Sequence, residues 1–175
     1  MFWALRGGGG GTYGVVISTT YQTHPIIPLT LAYLTSNFTS PDIAQNVTAE
    51  LIKLHPTLSD AGWGGYITST NSSCSITLGA PNISWVDTNA TFLPFVQYVT
   101  EATGGLVEAS TTPFNSFYEF YQTFFVDPFD GSATNVVPDA PRVEFASRFL
   151  PLSLAEMDPA QAAKIILLLS DVSME

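Results

Sequence analysis

The stretch Arg6-Gly7-Gly8-Gly9-Gly10-Gly11-Thr12-Tyr13-Gly14-Val15-Val16 is where the fold class is decided. Gly9, Gly11 and Gly14 satisfy the spacing G-x-G-x-x-G. In a doubly wound α/β sheet that spacing joins a strand to a helix whose N-terminus faces a pyrophosphate. Here the flanks are reversed: Phe2–Arg6 reads as the tail of a helix, and Val15–Thr23 is a β-branched, strand-like run. The doubly wound reading fails on that context. A P-loop is excluded as well, because no Lys-Ser/Thr pair follows the glycines. Residues without a Cβ can adopt positive φ and let a ligand approach the main-chain N–H groups. A helix end closed by redundant glycines is the structural alternative, and the residues alone leave both open.

Outward from the glycines, strands and helices are interspersed. Leu29–Leu34 continues the strand-like character of Val15–Thr23 across His24-Pro25 and Pro28. Ser40-Pro41-Asp42 is a helix start, a capping hydroxyl followed by proline at the first helical position. Ile43, Val47, Leu51 and Leu54 recur at helical spacing until His55-Pro56, where the pattern predicts the helix to end. Trp63–Thr70 and Cys74–Leu78 read as a hairpin across Asn71-Ser72-Ser73. Phe92, Phe95, Val96 and Val99 mark a second helix, with Pro94 near its start and Gly104-Gly105 beyond its end. Leu106–Thr111 reads as a strand, and Phe114, Phe117, Tyr118, Tyr121 and Phe125 as a helical aromatic stripe belonging to a core. Beyond the Asp-, Gly- and Pro-rich stretch from Asp127 to Pro141, Arg142–Leu150 looks extended. Asp158-Pro159 opens a last helix with Ala162, Ile165, Ile166 and Leu169 on one side. Hairpins among helices predict an α+β fold, an antiparallel β-sheet flanked by helices.

Composition narrows the function classes. The 175 residues hold 5 Lys plus Arg against 15 Asp plus Glu, a formal charge of −10. Positive charge is too scarce to neutralise nucleic-acid phosphates or to seek an anionic membrane. With 46% hydrophobic, 13% aromatic and only 11% charged residues, the chain is a core former rather than a disordered segment. No apolar run reaches the length of about 18 residues that a membrane-spanning helix requires.

Five of the seven Asn residues open an N-x-S/T sequon: Asn37, Asn46, Asn71, Asn82 and Asn89. Ser and Thr make up 36 of 175 residues, so chance would supply one or two such sequons; the excess predicts a secreted glycoprotein. The single Cys74 cannot staple the chain internally and is expected in the core. The start, with Phe2 and Trp3 in place of a basic region and apolar stretch, is not a secretory signal. The expectation is a piece of a longer secreted protein, incomplete at both ends.

Phe2-Trp3-Ala4-Leu5-Arg6 running into the glycines and closing on Thr12-Tyr13-Gly14-Val15-Val16 resembles a known signature. It is the stretch that ends the FAD-binding domain of berberine-bridge-enzyme-like oxidoreductases, in the PCMH-type, vanillyl-alcohol-oxidase flavoprotein superfamily. Ala146-Ser147-Arg148-Phe149-Leu150-Pro151 is similar to a segment in the substrate domain of fungal members, although Leu152 stands where many relatives carry a basic residue. The resemblance implies FAD as cofactor, lined by Gly10, Gly11, Thr12, Tyr13 and Gly14, with the Val16 backbone toward the adenine side. It divides the chain into residues 1–24, the end of the FAD-binding domain, and 25–175, a substrate-binding domain whose sheet roofs the isoalloxazine ring. It also implies hydride transfer from an alcohol, sugar or secondary-metabolite substrate to flavin, with O₂ as acceptor. The family's flavin-tethering His and Cys, and its usual Tyr or Glu base, have no counterpart here. The chain without the N-terminal FAD domain of its parent should therefore bind FAD weakly.

Other chemistry is thin. HExxH, C-x-x-C and G-x-S-x-G are absent. Asp127, Asp130 and Asp139 do not match a calcium loop, and His24 and His55 read as turn or surface histidines. Tyr118 and Tyr121 could touch a substrate but read first as core. Two alternatives stay open: a glycosylated carbohydrate-binding module stacking sugars on Trp63, Trp85 and surface tyrosines, or a truncated product without function.

Overall fold

In a computed structural model of the chain, the residues described are 15, 17–126, 153 and 158–171. They form β1 (Leu29–Asn37), α1 (Pro41–Asp60), β2 (Gly64–Ser69), β3 (Ser73–Pro81), α2 (Trp85–Thr103), β4 (Val107–Phe114), α3 (Phe117–Phe125) and α4 (Pro159–Asp171). The strands make one antiparallel sheet in the order β2-β3-β1-β4. The first six elements are thus a βαββαβ unit in which each crossover helix spans a neighbouring strand. The expected α+β architecture is present.

The helix starts are written in local sequence. Ser40 accepts from the Ile43 N–H ahead of Pro41. Ser84 accepts from the Asp87 N–H at 3.1 Å while its own hydroxyl donates to Asp87 Oδ2 at 2.7 Å. Ser116 accepts from the Glu119 N–H, and the Glu119 carboxylate accepts from the Asn115 N–H at 2.8 Å. Asp158 caps α4 by accepting from Gln161 N–H at 2.9 Å. Each arrangement satisfies donors that the first helical turn leaves free. At the other end of α2, Gly104 takes φ 65°, and the Gly105 N–H returns to the Thr100 carbonyl at 2.9 Å, closing the helix as a left-handed cap.

Alternation along the strands sorts side chains onto two faces. One face carries Ala32, Leu34, Cys74, Ile76, Leu78 and Ala80 against α1 and α2, whose Val47, Leu51, Phe92, Phe95 and Val99 complete the core. Phe92 is 1% exposed and lies between the rings of Trp63 and Phe95, with centroids 6.4 and 6.0 Å away. α4 packs along α1 through Ala162, Ala163 and Leu167. Buried hydroxyls on this face are mostly satisfied: Ser36 donates to the Leu106 carbonyl at 2.6 Å, and Thr48 and Ser69 hydroxyls meet at 2.7 Å. Thr88 is the exception, a fully buried hydroxyl with no partner among the described residues.

Several expectations are corrected. α1 runs through Pro56 to Asp60, although a proline has no N–H for the preceding turn. Packing outweighs that loss, since Leu58 is buried in the core and its carbonyl accepts the Trp63 N–H at 2.9 Å. α2 begins at Trp85, so Pro94 is mid-helix rather than near its start. Val15 and residues 17–23 form no strand and expose Val15, Ile17 and Tyr21; a β-branched run becomes a strand only when another strand pairs with it. On α4 the buried positions are Ala162, Ala163 and Leu167, whereas Ile165 is exposed. The reading of Arg142–Leu150 as extended lies outside the described residues.

Candidate functional site

Opposite the helix layer, the second face of the sheet is left largely bare by the described residues. Its central row, one residue from each strand in register, is Tyr66, Thr77, Tyr33 and Ser110. The next row is Thr68, Ser75, Thr35 and Glu108. Threonine and tyrosine suit a pleated surface because β-branched and aromatic side chains lose little there, so hydroxyls can be displayed without weakening the strands. Glu108 is the one charged side chain in these two rows. Tyr66 stands 84% exposed.

Among the described residues, only one end of this face is covered, by α3. Leu29, Leu31 and Phe114 form a small apolar cluster beneath it, with Phe120 packed on top. Phe120 is the hub of an aromatic group: its ring lies 5.6 Å from Phe114, 5.3 Å from Phe124 and 5.7 Å from Phe125, in tilted and edge-on geometries. Tyr121 stacks nearly parallel on Phe125 at 5.8 Å. None of the α3 residues is fully buried. Of the stripe expected as core, Phe114 is buried but at the end of β4, Phe125 lines the side of α3 toward the sheet, and Phe117 and Tyr118 are exposed.

Between α3 and the sheet lies a groove of about 270 Å³. Phe120, Phe124 and Phe125 form one side, and Leu31 and Tyr33 form the floor. Thr77, Ser110 and Thr112 bring three hydroxyls to the same space. Among the described residues no cation lines it: Lys53 is on α1, paired to Glu50 at 2.8 Å, and Lys164 is on α4, while Arg6, Arg142 and Arg148 lie outside the described residues. The groove can hold a small ring-bearing molecule by stacking and orient it by neutral hydrogen bonds. With three to four hydroxyls set in apolar walls, it matches the usual make-up of small-molecule sites.

The residues expected to hold FAD, Gly10, Gly11, Thr12, Tyr13, Gly14 and Val16, all lie outside the described residues, as do Ala146–Pro151 and the three loop aspartates. The described part can be tested for a flavin by its surfaces. In its two described rows the bare sheet face is neutral apart from Glu108 and rich in hydroxyls, which fits a ring system laid against it. A phosphate seat is missing: α1, α2 and α3 start with their own serine caps and an acidic first-turn residue, Asp42, Asp87 or Glu119. Capped, acidic starts repel rather than gather phosphate. The pyrophosphate would have to be met by residues other than these.

Remaining sequence candidates are placed plainly. Among the sequons, Asn37, Asn46 and Asn82 are exposed, whereas Asn71 and Asn89 are half-buried. Asn89 Oδ1 accepts from the Thr111 hydroxyl at 3.1 Å, which leaves the amide nitrogen, the point of glycan attachment, on the other side of the group. His24 and His55 are exposed. Trp63 is 9% exposed and part of the core, so it offers no stacking surface to a sugar; Trp85 is half-exposed and its indole N–H donates to the Thr111 carbonyl at 3.1 Å. The carbohydrate-module reading loses half of its paired platform. Cys74 is buried as expected. Among the described residues no cluster of His, Cys, Asp or Glu is arranged to hold a metal, and no helix is long and apolar enough to cross a membrane. Sequence reasoning missed the groove and its hydroxyl row, because face alternation is meaningful only once the strand order is known.

Comparison with known proteins agrees with the flavoprotein signature. No protein-family model matches the chain. It is 36% identical over 152 residues to an uncharacterised FAD-linked oxidoreductase of Arthroderma benhamiae, covering 81% of this chain and 26% of the relative. It is 32% identical over 164 residues to the FAD-linked oxidoreductase OXR2 of Pyricularia oryzae, covering 93% and 26%. A third relative, the FAD-linked oxidoreductase ffsJ of Aspergillus flavipes, is 37% identical over 131 residues, covering 72% and 20%. The chain thus spans about a quarter of the length of the curated relatives it matches. Among solved structures, the VAO-type flavoprotein MtVAO615 of Myceliophthora thermophila superposes with a TM-score of 0.63 at 22% identity, covering 99% of this chain and 30% of that one, a likeness of fold. The chain is thus homologous to part of several fungal FAD-linked oxidoreductases and shares its fold with part of a VAO-type flavoprotein.

Proposed function

We propose that this chain is the substrate-side portion of a secreted, glycosylated, berberine-bridge-enzyme-like oxidoreductase that uses FAD. Residues 1–24 are the end of its cofactor domain and 25–175 its substrate domain. The observation that carries this reading is the sheet covered by helices on one face and left bare on the other, with a ring-sized groove opening onto the bare face. FAD held here would supply a hydride acceptor for the substrate's carbon, the hydroxyl proton leaving to solvent and O₂ serving as the final electron acceptor. The chain's own residues do the positioning. Phe120, Phe124 and Phe125 exclude water, while Tyr33, Ser110 and Thr112 fix the orientation of an alcohol-bearing substrate. The main chain of Gly10, Gly11, Thr12, Tyr13, Gly14 and Val16 approaches the cofactor, and the N-terminal FAD domain of the parent supplies the rest of its site.

Titrating FAD with the chain and following flavin emission tests this. The expected result is a weak but saturable change that Gly11→Val with Gly14→Val abolishes. No saturable change, or one the double variant leaves intact, overturns the flavin reading. Secretion is checked separately: expression in a eukaryotic secretory host should yield a product whose mass falls on enzymatic deglycosylation.

A further inference from the structure

We propose that the groove under α3 selects its ligand by charge: it takes an uncharged ring-bearing molecule with a hydroxyl or carbonyl at its edge, and rejects the same ring system carrying a carboxylate. This deepens the reading of the groove as a substrate site and rests on that reading for the word substrate, though not for the binding itself. The argument starts from what lines the cavity. The walls supply phenyl rings of Phe120, Phe124 and Phe125, and the floor supplies the hydroxyls of Tyr33, Ser110 and Thr112. Every polar group among the lining residues is neutral.

A carboxylate entering this space would lose its hydration and, among the described residues, meet neither a cation nor a helix N-terminus, a cost that hydroxyl hydrogen bonds do not recover. The net charge of −10 and Glu108 on the adjacent row set a repelling field for anions. A neutral hydroxyl or carbonyl loses far less on entry and finds a hydroxyl partner on the floor. Sugars are disfavoured for a different reason. A polyol turns several hydroxyls on each side toward its site, while this groove has an aromatic wall with no polar atom on one side and single-point hydroxyls on the other. At about 270 Å³ the space suits one or two fused rings.

Within the groove, Phe124 and Ser110 are the specificity-determining positions. Phe124 is 52% exposed, forming the lip, and is held at the rim by edge-on contact with Phe114 at 6.0 Å. Ser110 is exposed on β4 and sits in the central row beside Tyr33. Neither belongs to the buried core, so both can be changed with the fold intact.

The test is equilibrium binding of 2-naphthol, 2-naphthoate and methyl β-glucoside to the 175-residue chain near neutral pH, without FAD. The expected result is that 2-naphthol binds about tenfold or more tightly than 2-naphthoate, with methyl β-glucoside not measurably retained. Phe124→Ser should weaken 2-naphthol about three- to tenfold, the worth of an aromatic contact. Ser110→Lys should reverse the order, so that 2-naphthoate becomes the tighter ligand, with circular dichroism unchanged from the parent chain. Equal binding of the two naphthyl probes, retention of the glucoside as tightly as 2-naphthol, or an unaltered preference in a folded Ser110→Lys chain would each overturn the proposal. A failed FAD titration would sink the oxidoreductase reading and leave this charge preference standing, which keeps the two separable.

Discussion

On the helix-covered face of the sheet, Ala32, Leu34, Cys74 and Ile76 are sealed from solvent, whereas the residues between them along the same strands, Tyr33, Thr35, Ser75 and Thr77, carry hydroxyls to the open side. The same backbone and the same hydrogen bonds serve both. What differs among the described residues is the burial partner: α1 and α2 cover one face, and α3 covers only an end of the other. A soluble protein that uses just one face of a sheet for its core normally alternates apolar and polar residues in this manner. Here the polar face is unusual in having many hydroxyls and very few charges, so it stays wettable yet can be brought against a neutral partner at little electrostatic cost. The comparison teaches that stability and recognition are written on alternate residues of the same strands.

The largest expected effect lies on the covered face. Phe92→Ala should lower stability by about 3–5 kcal/mol, the cost of an aromatic cavity between Trp63 and Phe95, read as a shift in urea midpoint. A change near zero would mean that this face is not the core. Cys74 probes the same face chemically. Burial pushes its thiol up to about 11, from an ordinary 9.0, with the hydrogen bond to Ser69 acting in the opposite direction. The native chain should therefore react with a maleimide near neutral pH at least about a hundredfold more slowly than the urea-unfolded chain, following the thiolate fraction. Because the folded state keeps the proton longer, the stability tied to this thiol is complete below pH 9 and is lost as pH climbs through about 11.

On the edge strand β2, Gly65→Ala should cost about 2 kcal/mol, since a Cβ there would collide with the backbone carbonyl of Thr77 and φ is +155°. The smallest effects belong to the bare face: Thr68→Val and Ser75→Val should each change stability by no more than about 0.5 kcal/mol. A loss of more than 1 kcal/mol from either would show that this face is packed against something in the folded chain, and the contrast drawn here would fail.

Much of the covered face was legible before any coordinates. Ser40-Pro41 and Gly104-Gly105 act at short range, through hydroxyl capping and a left-handed turn, and both sit where their chemistry places them. The Asn71-Ser72-Ser73 turn is equally local, with Thr70 and Ser73 closing it by an N–H to carbonyl bond of 2.9 Å. The errors came where distant packing overruled local preference. Pro56 is carried inside α1 because Leu58 is needed in the core, and Val15 and residues 17–23 stay unpaired because β propensity cannot summon a neighbouring strand. The groove was illegible for a related reason. Tyr33, Thr77 and Ser110 are scattered along the chain, and only the order β3-β1-β4 sets them side by side. The glycine run carried the family resemblance although its residues lie outside the described ones, since that signal came from likeness rather than from packing.

The docking of α4 on α1 has a consequence for biosynthesis. The βαββαβ unit is complete at Phe114, but Ala162, Ala163 and Leu167 reach α1 only after Asp158 has been made. During vectorial synthesis the sheet and its first two helices can therefore close while the outer flank of α1 still faces water, waiting for a helix that the ribosome has yet to deliver. A nascent chain stalled before Pro159 would leave that flank of α1 without its helical partner.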